Sequence, residues 1–133
     1  MILLDTQILI WADSKPDRLG SKARRLIEAA STRLQLTLSP VTFFETALLV
    51  QARRVKLGDG IGPWRAILLD RGFRELPVDG AIAIRASELQ LGTADPFDRI
   101  IVATAEIHNC ELMTADAAIL DWRGRLRRID ARE

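Results

Sequence analysis

The stretch MILLDTQILIWAD, Met1 to Asp13, decides the fold. Ile2, Leu3 and Leu4 are apolar without alternation, the pattern of a strand buried on both faces, as in a parallel sheet covered by helices. The run stops at Asp5, and the short apolar segment after it, Thr6 to Asp13, predicts the start of a helix. Asp5 therefore closes a buried strand, where a carboxylate is penalised by desolvation unless it is paired or bound to a metal. No basic region precedes the apolar run, so it reads as a mature first strand and not as a signal peptide.

Outward from this stretch, helices and strands alternate. Asp13 to Pro16 mark a loop. Ser21 to Ala30 sets Ala23, Leu26, Ile27 and Ala30 at helical spacing, with Lys22, Arg24 and Arg25 mostly on other faces. Leu34 to Leu38 (LQLTL) reads as a second strand, and Ser39 and Pro40 start a long helix reaching about Arg54. Gly58, Gly60 and Gly62 punctuate a loop. Pro63 to Arg71 is helical with Gly72 as its stop, and Phe73 to Val78 is a short strand. Asp79 caps a helix running to about Leu91, ended by Gly92. Pro96 to Ile107 (PFDRIIVATAEI) is a strong helix, Glu111 to Thr114 a buried strand, and Arg125 to Ile129 the last strand. This alternation implies an α/β fold with a central parallel sheet flanked by helices on both faces. Residues 1–133 are expected to form one domain, with no internal repeat or linker.

Composition narrows the classes of function. With 133 residues, 48% of them hydrophobic, the chain can bury roughly two-thirds of its unfolded surface, and disorder is excluded. The net charge of +1 does not announce a nucleic-acid binder, although arginines on a binding face cancel in the sum against carboxylates in a site. Cys110 is the only cysteine, so no internal disulfide forms and a reducing, cytoplasmic setting is expected. No apolar run approaches the ~18 residues of a membrane span, so no membrane role is expected. His108 is the only histidine, which rules out a two-histidine acid–base mechanism within one chain.

The acids carry the functional reading through their positions. In an open parallel α/β sheet, ligands bind beyond the carboxyl ends of the strands. Asp5 ends the first strand, Glu45 sits in the first turns of the helix after the second, Asp95 and Asp98 open the helix at Pro96, and Asp116 follows ELMT. Four distant parts of the chain thus bring carboxylates to one edge. Clustered like charges repel, and a divalent cation such as Mg²⁺ or Mn²⁺ resolves the conflict through oxygen ligands. Each acid also has a structural reading. Asp95 before Pro96 is a good N-cap, Thr42 and Glu45 have the spacing of a capping box, and Asp116 can cap the short helix AAIL.

At these residues the sequence resembles the PIN-domain nucleases, specifically the VapC-type toxins. The resemblance is carried by LLDT (Leu3–Thr6), SPVTFFE (Ser39–Glu45), DPFDRIIVATA (Asp95–Ala105) and MTAD (Met113–Asp116), in the family's order along most of the chain. It implies a PIN-like three-layer fold. It makes Asp5, Glu45, Asp98 and Asp116 the catalytic acids. Asp5, Asp98 and Asp116 become metal ligands with Asp95 a further one, and Thr6, Thr114 and Arg99 supporting residues. One position departs from many relatives: Thr93 stands where they carry a histidine, two residues before Asp95.

The reaction this implies is hydrolysis of RNA phosphodiester bonds by a Mg²⁺-activated water, Mn²⁺ being a substitute, with a 5′-phosphate left on the product. The resemblance also implies a small antitoxin protein that blocks the acidic site, and a homodimer. Arginines at the C-terminus (Arg123, Arg125, Arg127, Arg128, Arg132), with Arg24, Arg25, Arg53, Arg54 and Lys56, are candidates for holding RNA phosphates; a solvated surface is the alternative for each. Trp11, Trp64 and Trp122 can stack on bases or pack in the core. The alternative functions are a PIN-type RNA-processing or repair nuclease without an antitoxin, and a PIN-like domain that binds RNA or a partner without cleaving.

Overall fold

The computed structural model describes residues 1–133. Five strands, β1 (Ile2–Leu4), β2 (Leu36–Leu38), β3 (Arg74–Glu75), β4 (Glu111–Thr114) and β5 (Arg128–Asp130), form one sheet in the order β3-β2-β1-β4-β5. Every neighbouring pair is parallel; Leu3 lies beside Thr37 on one side and Leu112 on the other. The chain leaves β1 toward β2 and later returns to β1's other side as β4. The strand order therefore reverses at the β1/β4 boundary, the crevice where such sheets bind ligands.

Seven helices cover the sheet: α1 (Thr6–Ser14), α2 (Ser21–Thr32), α3 (Val41–Gln51), α4 (Ile61–Asp70), α5 (Gly80–Glu88), α6 (Pro96–Ile107) and α7 (Ala117–Leu120). The two faces of β1 separate cleanly. Ile2 and Leu4 enter a core built with Ile8, Leu9, Ala23, Phe43, Trp64 and Leu68 from α1 to α4. Leu3, pointing the other way as strand alternation requires, joins a second core with Ile82, Ala86, Ile101, Val102 and Ile119 from α5 to α7. This is the three-layer arrangement expected from the unbroken run at residues 2–4. No helix is long and apolar enough to cross a membrane.

The elements match the sequence reading best where a cap or a long apolar pattern defines them. The α6 and β4 bounds agree, α1 follows Asp5 directly, and Gly72 (φ 99°) ends α4 as expected. Four corrections follow from local backbone chemistry. Gly62 lies inside α4, not in the loop, which ends at Gly60 (φ 101°). Strand β3 is only two residues long, since it is an edge strand pairing with β2 alone. Helix α5 ends at Glu88, with Leu89 already extended, before Gly92. The last strand begins at Arg128, after Arg125 to Arg127 have run through an irregular segment.

Helices α2, α3, α4 and α6 share one kind of ending. The residue in the left-handed conformation is Leu34, Arg53, Gly72 and Asn109 in turn. In each, the following amide bonds back to the sixth residue in the motif, as Arg54 N does to Leu49 O (2.9 Å) and Phe73 N to Leu68 O (3.1 Å). Glycine and asparagine suit this conformation; leucine and arginine do not, which is why the ends of α2 and α3 carried no legible stop signal.

The C-terminus closes the fold against α2. Gly20 N donates to Ala131 O (2.9 Å) and Lys22 N to Glu133 O (2.9 Å). A Cβ at Gly20 would overlap the Glu133 backbone. Gly20→Ala should therefore lift the C-terminal segment and destabilise the protein by about 1–3 kcal/mol, read as a lower midpoint in urea.

Candidate functional site

Asp5 emerges at the carboxyl end of β1, its amide still donating to Met113 O (3.0 Å) and so extending the parallel ladder by one residue. Both carboxylate oxygens are engaged. Oδ1 accepts from Thr6 N (2.8 Å), capping α1, and Oδ2 accepts from the Thr114 hydroxyl (2.7 Å) at the end of β4. Thr114 Oγ1 in turn accepts from Asp116 N (3.1 Å), while Asp116 Oδ1 caps α7 through Ala118 N (2.8 Å). One threonine thus ties Asp5 to Asp116 across the switch point. These expected neighbours do meet.

Asp98 arrives from α6. Like Asp5 it retains only 7% of its exposure, yet no donor reaches its carboxylate. Asp95, three residues earlier, caps α6 through Oδ1 and Phe97 N (2.9 Å), and its own amide donates to Thr93 Oγ1 (3.1 Å). Thr93, which takes a histidine's place in many relatives, here steadies the loop before the cap.

Glu45 projects from the second turn of α3. The capping-box reading does not hold. The helix is capped by Pro40 without a side-chain bond, and the Thr42 hydroxyl lies 3.0 Å from the Thr6 hydroxyl, pinning α3 to α1. Glu45 Oε1 is buried with no hydrogen-bond partner. Burial raises its proton affinity, and the charges of Asp5 and Asp95 add to this. The nearby Thr6 hydroxyl pulls it partly back without closing a hydrogen bond. Arg99 is half-buried and pairs with no carboxylate.

Electrostatics join the five acids into one group. Burial raises the Asp5 carboxyl above its ordinary range, opposed by the bonds from Thr114 and Thr6 and reinforced by Asp116 and Asp95. Asp98 is pushed up to about 8, first by burial and then by the charges of Asp5, Asp95, Asp116 and Glu45. No three of these side chains converge tightly enough as they stand to enclose an ion. The donor set nevertheless suits a hard divalent cation: all oxygen, with Asp98 free of donors, the second oxygens of Asp95 and Asp116 free of hydrogen bonds, and Glu45 Oε1 orphaned. A cleft of about 470 Å³ opens over Asp5, Glu45 and Asp116, walled by Trp11 and Arg18. Arg18 was not anticipated, because it lies in a three-residue 3₁₀ turn (Pro16–Arg18) that the sequence shows only as a loop.

The arginines divide by position. Arg125 and Arg127 line a cleft with Glu106 and Asn109, at the amino end of β4 and the far end of α6, opposite the acids. Arg132 is bound to Asp130 (3.1 Å). Of the C-terminal candidates for holding substrate, Arg125 and Arg127 lie away from the carboxylates, and Arg132 is taken up by Asp130.

A three-layer parallel sheet with buried acids at its reversal point defines a PIN domain. The PIN domain family model matches residues 2–123, and the chain belongs to that family. Within it the chain is of the VapC type: it is 30% identical over 123 residues to ribonuclease VapC22 of Mycobacterium tuberculosis, covering 92% of each. The fold is shared with DNA-bound VapBC from Salmonella typhimurium (TM-score 0.69, 17% identity, 97% of this chain and 96% of that one). It is shared as well with VapBC2 from Rickettsia felis bound to a promoter DNA fragment (TM-score 0.68, 18% identity, 97% and 98%).

Two outcomes are expected. Thr114→Val removes the donor to Asp5 and the acceptor for Asp116 N, and should cost about 1–3 kcal/mol in urea denaturation, with Thr114→Ser restoring most of it. The second outcome concerns pH. An acid whose folded pKa is raised from 3.8 to about 8 binds its proton more tightly folded than unfolded. Its contribution to stability is full below the unfolded value and is lost as pH rises through the folded one. The metal-free protein should therefore melt at lower temperature at about pH 8.5 than at about pH 5.5, and Asp98→Asn should flatten that slope.

Proposed function

We propose that this chain is a metal-dependent endoribonuclease, the toxin of a toxin–antitoxin pair. The observation that carries this is geometric: Asp5, Glu45 and Asp116, from three distant stretches of chain, line one cleft at the crevice between β1 and β4, with Asp5 and Asp116 joined through Thr114 and the buried Asp98 within reach of their charge. The kinship with a ribonuclease over nearly the full chain supports it.

Asp5, Asp98 and Asp116 would hold Mg²⁺, or Mn²⁺ in its place, with Asp95 as a further ligand. When bound, the ion supplies positive charge against the phosphoryl oxygens and lowers the pKa of a coordinated water. The chain's own groups do the remaining work. Thr114 and Thr6 fix the orientation of the Asp5 carboxylate. Glu45 Oε1, unpartnered and of raised proton affinity, accepts the proton of the attacking water. Attack on phosphorus opposite the 3′-oxygen breaks the P–O3′ bond, and the departing oxygen takes a proton from solvent, leaving a 5′-phosphate and a 3′-hydroxyl. Arg99, free of intramolecular ion pairs, is available to the substrate.

A cognate antitoxin would cover the site and present positive charge to the carboxylates in the metal's place. The solved VapBC complexes that share this fold favour such a partner. A homodimer in the cytoplasm is the working form in this reading, and residues 1–133 act as one nuclease domain.

The test is cleavage of total cellular RNA by the purified chain, followed by sequencing of the ends. Activity should vanish in chelator and return with Mg²⁺ or Mn²⁺. Asp5→Ala and Asp98→Asn should abolish it with the fold intact, and Glu45→Gln should slow it roughly 10²–10⁴-fold. Full activity in chelator would falsify the mechanism. Growth arrest on expression that no neighbouring small protein relieves would point instead to a processing nuclease.

A further inference from the structure

Adjoining the carboxylate cleft, and sharing Trp11, Arg18 and Leu49 with it, is a second cleft of about 600 Å³. Its charged lining is Lys15, Arg18, Arg53, Arg54 and Lys56, with no acid. Lys15 and Arg18 come from the turn after α1, and the other three from the segment after α3. None of the five takes part in an ion pair; what sets them apart from the chain's other unpaired cations is that all five line one groove. Five unpaired cations facing one groove repel one another unless anions enter it.

Two further observations point to an anionic ligand. Arg53 occupies the left-handed position that ends α3 (φ 58°), a conformation that suits glycine. Leu34, the other poorly suited residue in such a position, meets Gly72. That conformation lets Arg54 N close the helix-ending bond to Leu49 O, while the Arg53 side chain itself is exposed, with no hydrogen bond or ion pair inside the molecule, and stays open to a ligand. Trp11 lines both clefts, and its Nε1 is buried with no acceptor in the molecule.

We propose that this cationic cleft is the docking arm for the backbone of single-stranded RNA. Lys15, Arg18, Arg53, Arg54 and Lys56 hold phosphates as the strand runs past Trp11 toward Asp5 and Asp116. The proposal rests on the ribonuclease reading and supplies its substrate with a path. A polyanion with evenly spaced charges matches a row of flexible cations on an open groove, and the contacts carry affinity without base choice. The cleft, and not the C-terminal arginines, then sets the salt dependence of binding.

The experiment measures binding of a fluorescein-labelled oligouridylate by anisotropy across a salt series, in an Asp98→Asn background with Mg²⁺ present. Arg53→Gly removes a cation and relieves the backbone. It should weaken binding about fivefold at about 0.1 M salt and reduce the slope of log K against log salt by about 0.7. Its denaturation midpoint should stay level or rise. Combining Arg53→Gly with Arg54→Gln and Lys56→Gln should reduce the slope by about 2. Arg125→Gln with Arg127→Gln, at the opposite edge, should leave both quantities unchanged. Cleft variants that bind RNA like their parent, or a salt slope carried by the Arg125/Arg127 pair, overturn the proposal. Cleft variants that keep RNA affinity but lose a co-expressed antitoxin also overturn it, assigning the groove to a protein partner. Should cleft variants lose RNA affinity as expected while the native chain cleaves no RNA, the docking arm stands and the nuclease reading fails.

Discussion

Repulsion among carboxylates at the end of β1 is the constraint around which this molecule is arranged. Asp5 and Asp98 are nearly as buried as the core, yet each feels the negative charge of its neighbours. The fold tolerates this by spending hydrogen bonds on one side of the cluster. Each Asp5 oxygen accepts one bond, from Thr6 N and Thr114 Oγ1, which fixes the carboxylate and leaves a lone pair on each oxygen, and Thr114 passes the connection on to Asp116. Asp98 and Glu45 receive no such help. Half of the cluster is thus held rigid, and the other half keeps open valence toward the cleft.

The same hydrogen bonds blur the division between structure and function. Asp5, Asp95 and Asp116 each cap a helix through one oxygen, and capping was the structural reading of two of them. A carboxylate has two oxygens and several lone pairs, so capping with one fixes the direction of the other. Capping and ligation are compatible in this geometry, and the cap supplies the preorganisation a ligand needs. Glu45 differs. Its apparent capping partner, Thr42, turns away to Thr6, and that hydroxyl pair joins the two helices whose side chains face each other across the cleft.

Charge is also distributed on a larger scale. The net charge of +1 conceals an acidic pocket and a cationic groove side by side. Their adjacency is a consequence of chain path: α1 carries Asp5 before its first turn and Lys15 after its last, while α3 carries Glu45 early and Arg53 just beyond its end. Two helices running together from the carboxyl edge of the sheet present acids at one end and bases at the other.

By itself the sequence determined the alternation of helices and strands, the double burial of β1, the bounds of α6 and β4, and the identity of the acids. Each of these is written locally: in an apolar run, a cap before a proline, or a carboxylate at a strand end. Tertiary structure decided what depends on more than one segment. The spacing Thr42–Glu45 suggested a local bond, but packing of α3 on α1 offered Thr42 a hydroxyl thirty-six residues away. Dense arginines near the C-terminus suggested a binding surface, but parallel pairing of β5 sends Arg125 and Arg127 to the wrong edge. Arg53 reads as an ordinary helical residue until the backbone places it in a glycine conformation. Local signals fix which residues form an element. Which edge of the sheet an element's end reaches follows from the order β3-β2-β1-β4-β5, and that order is a property of the whole chain.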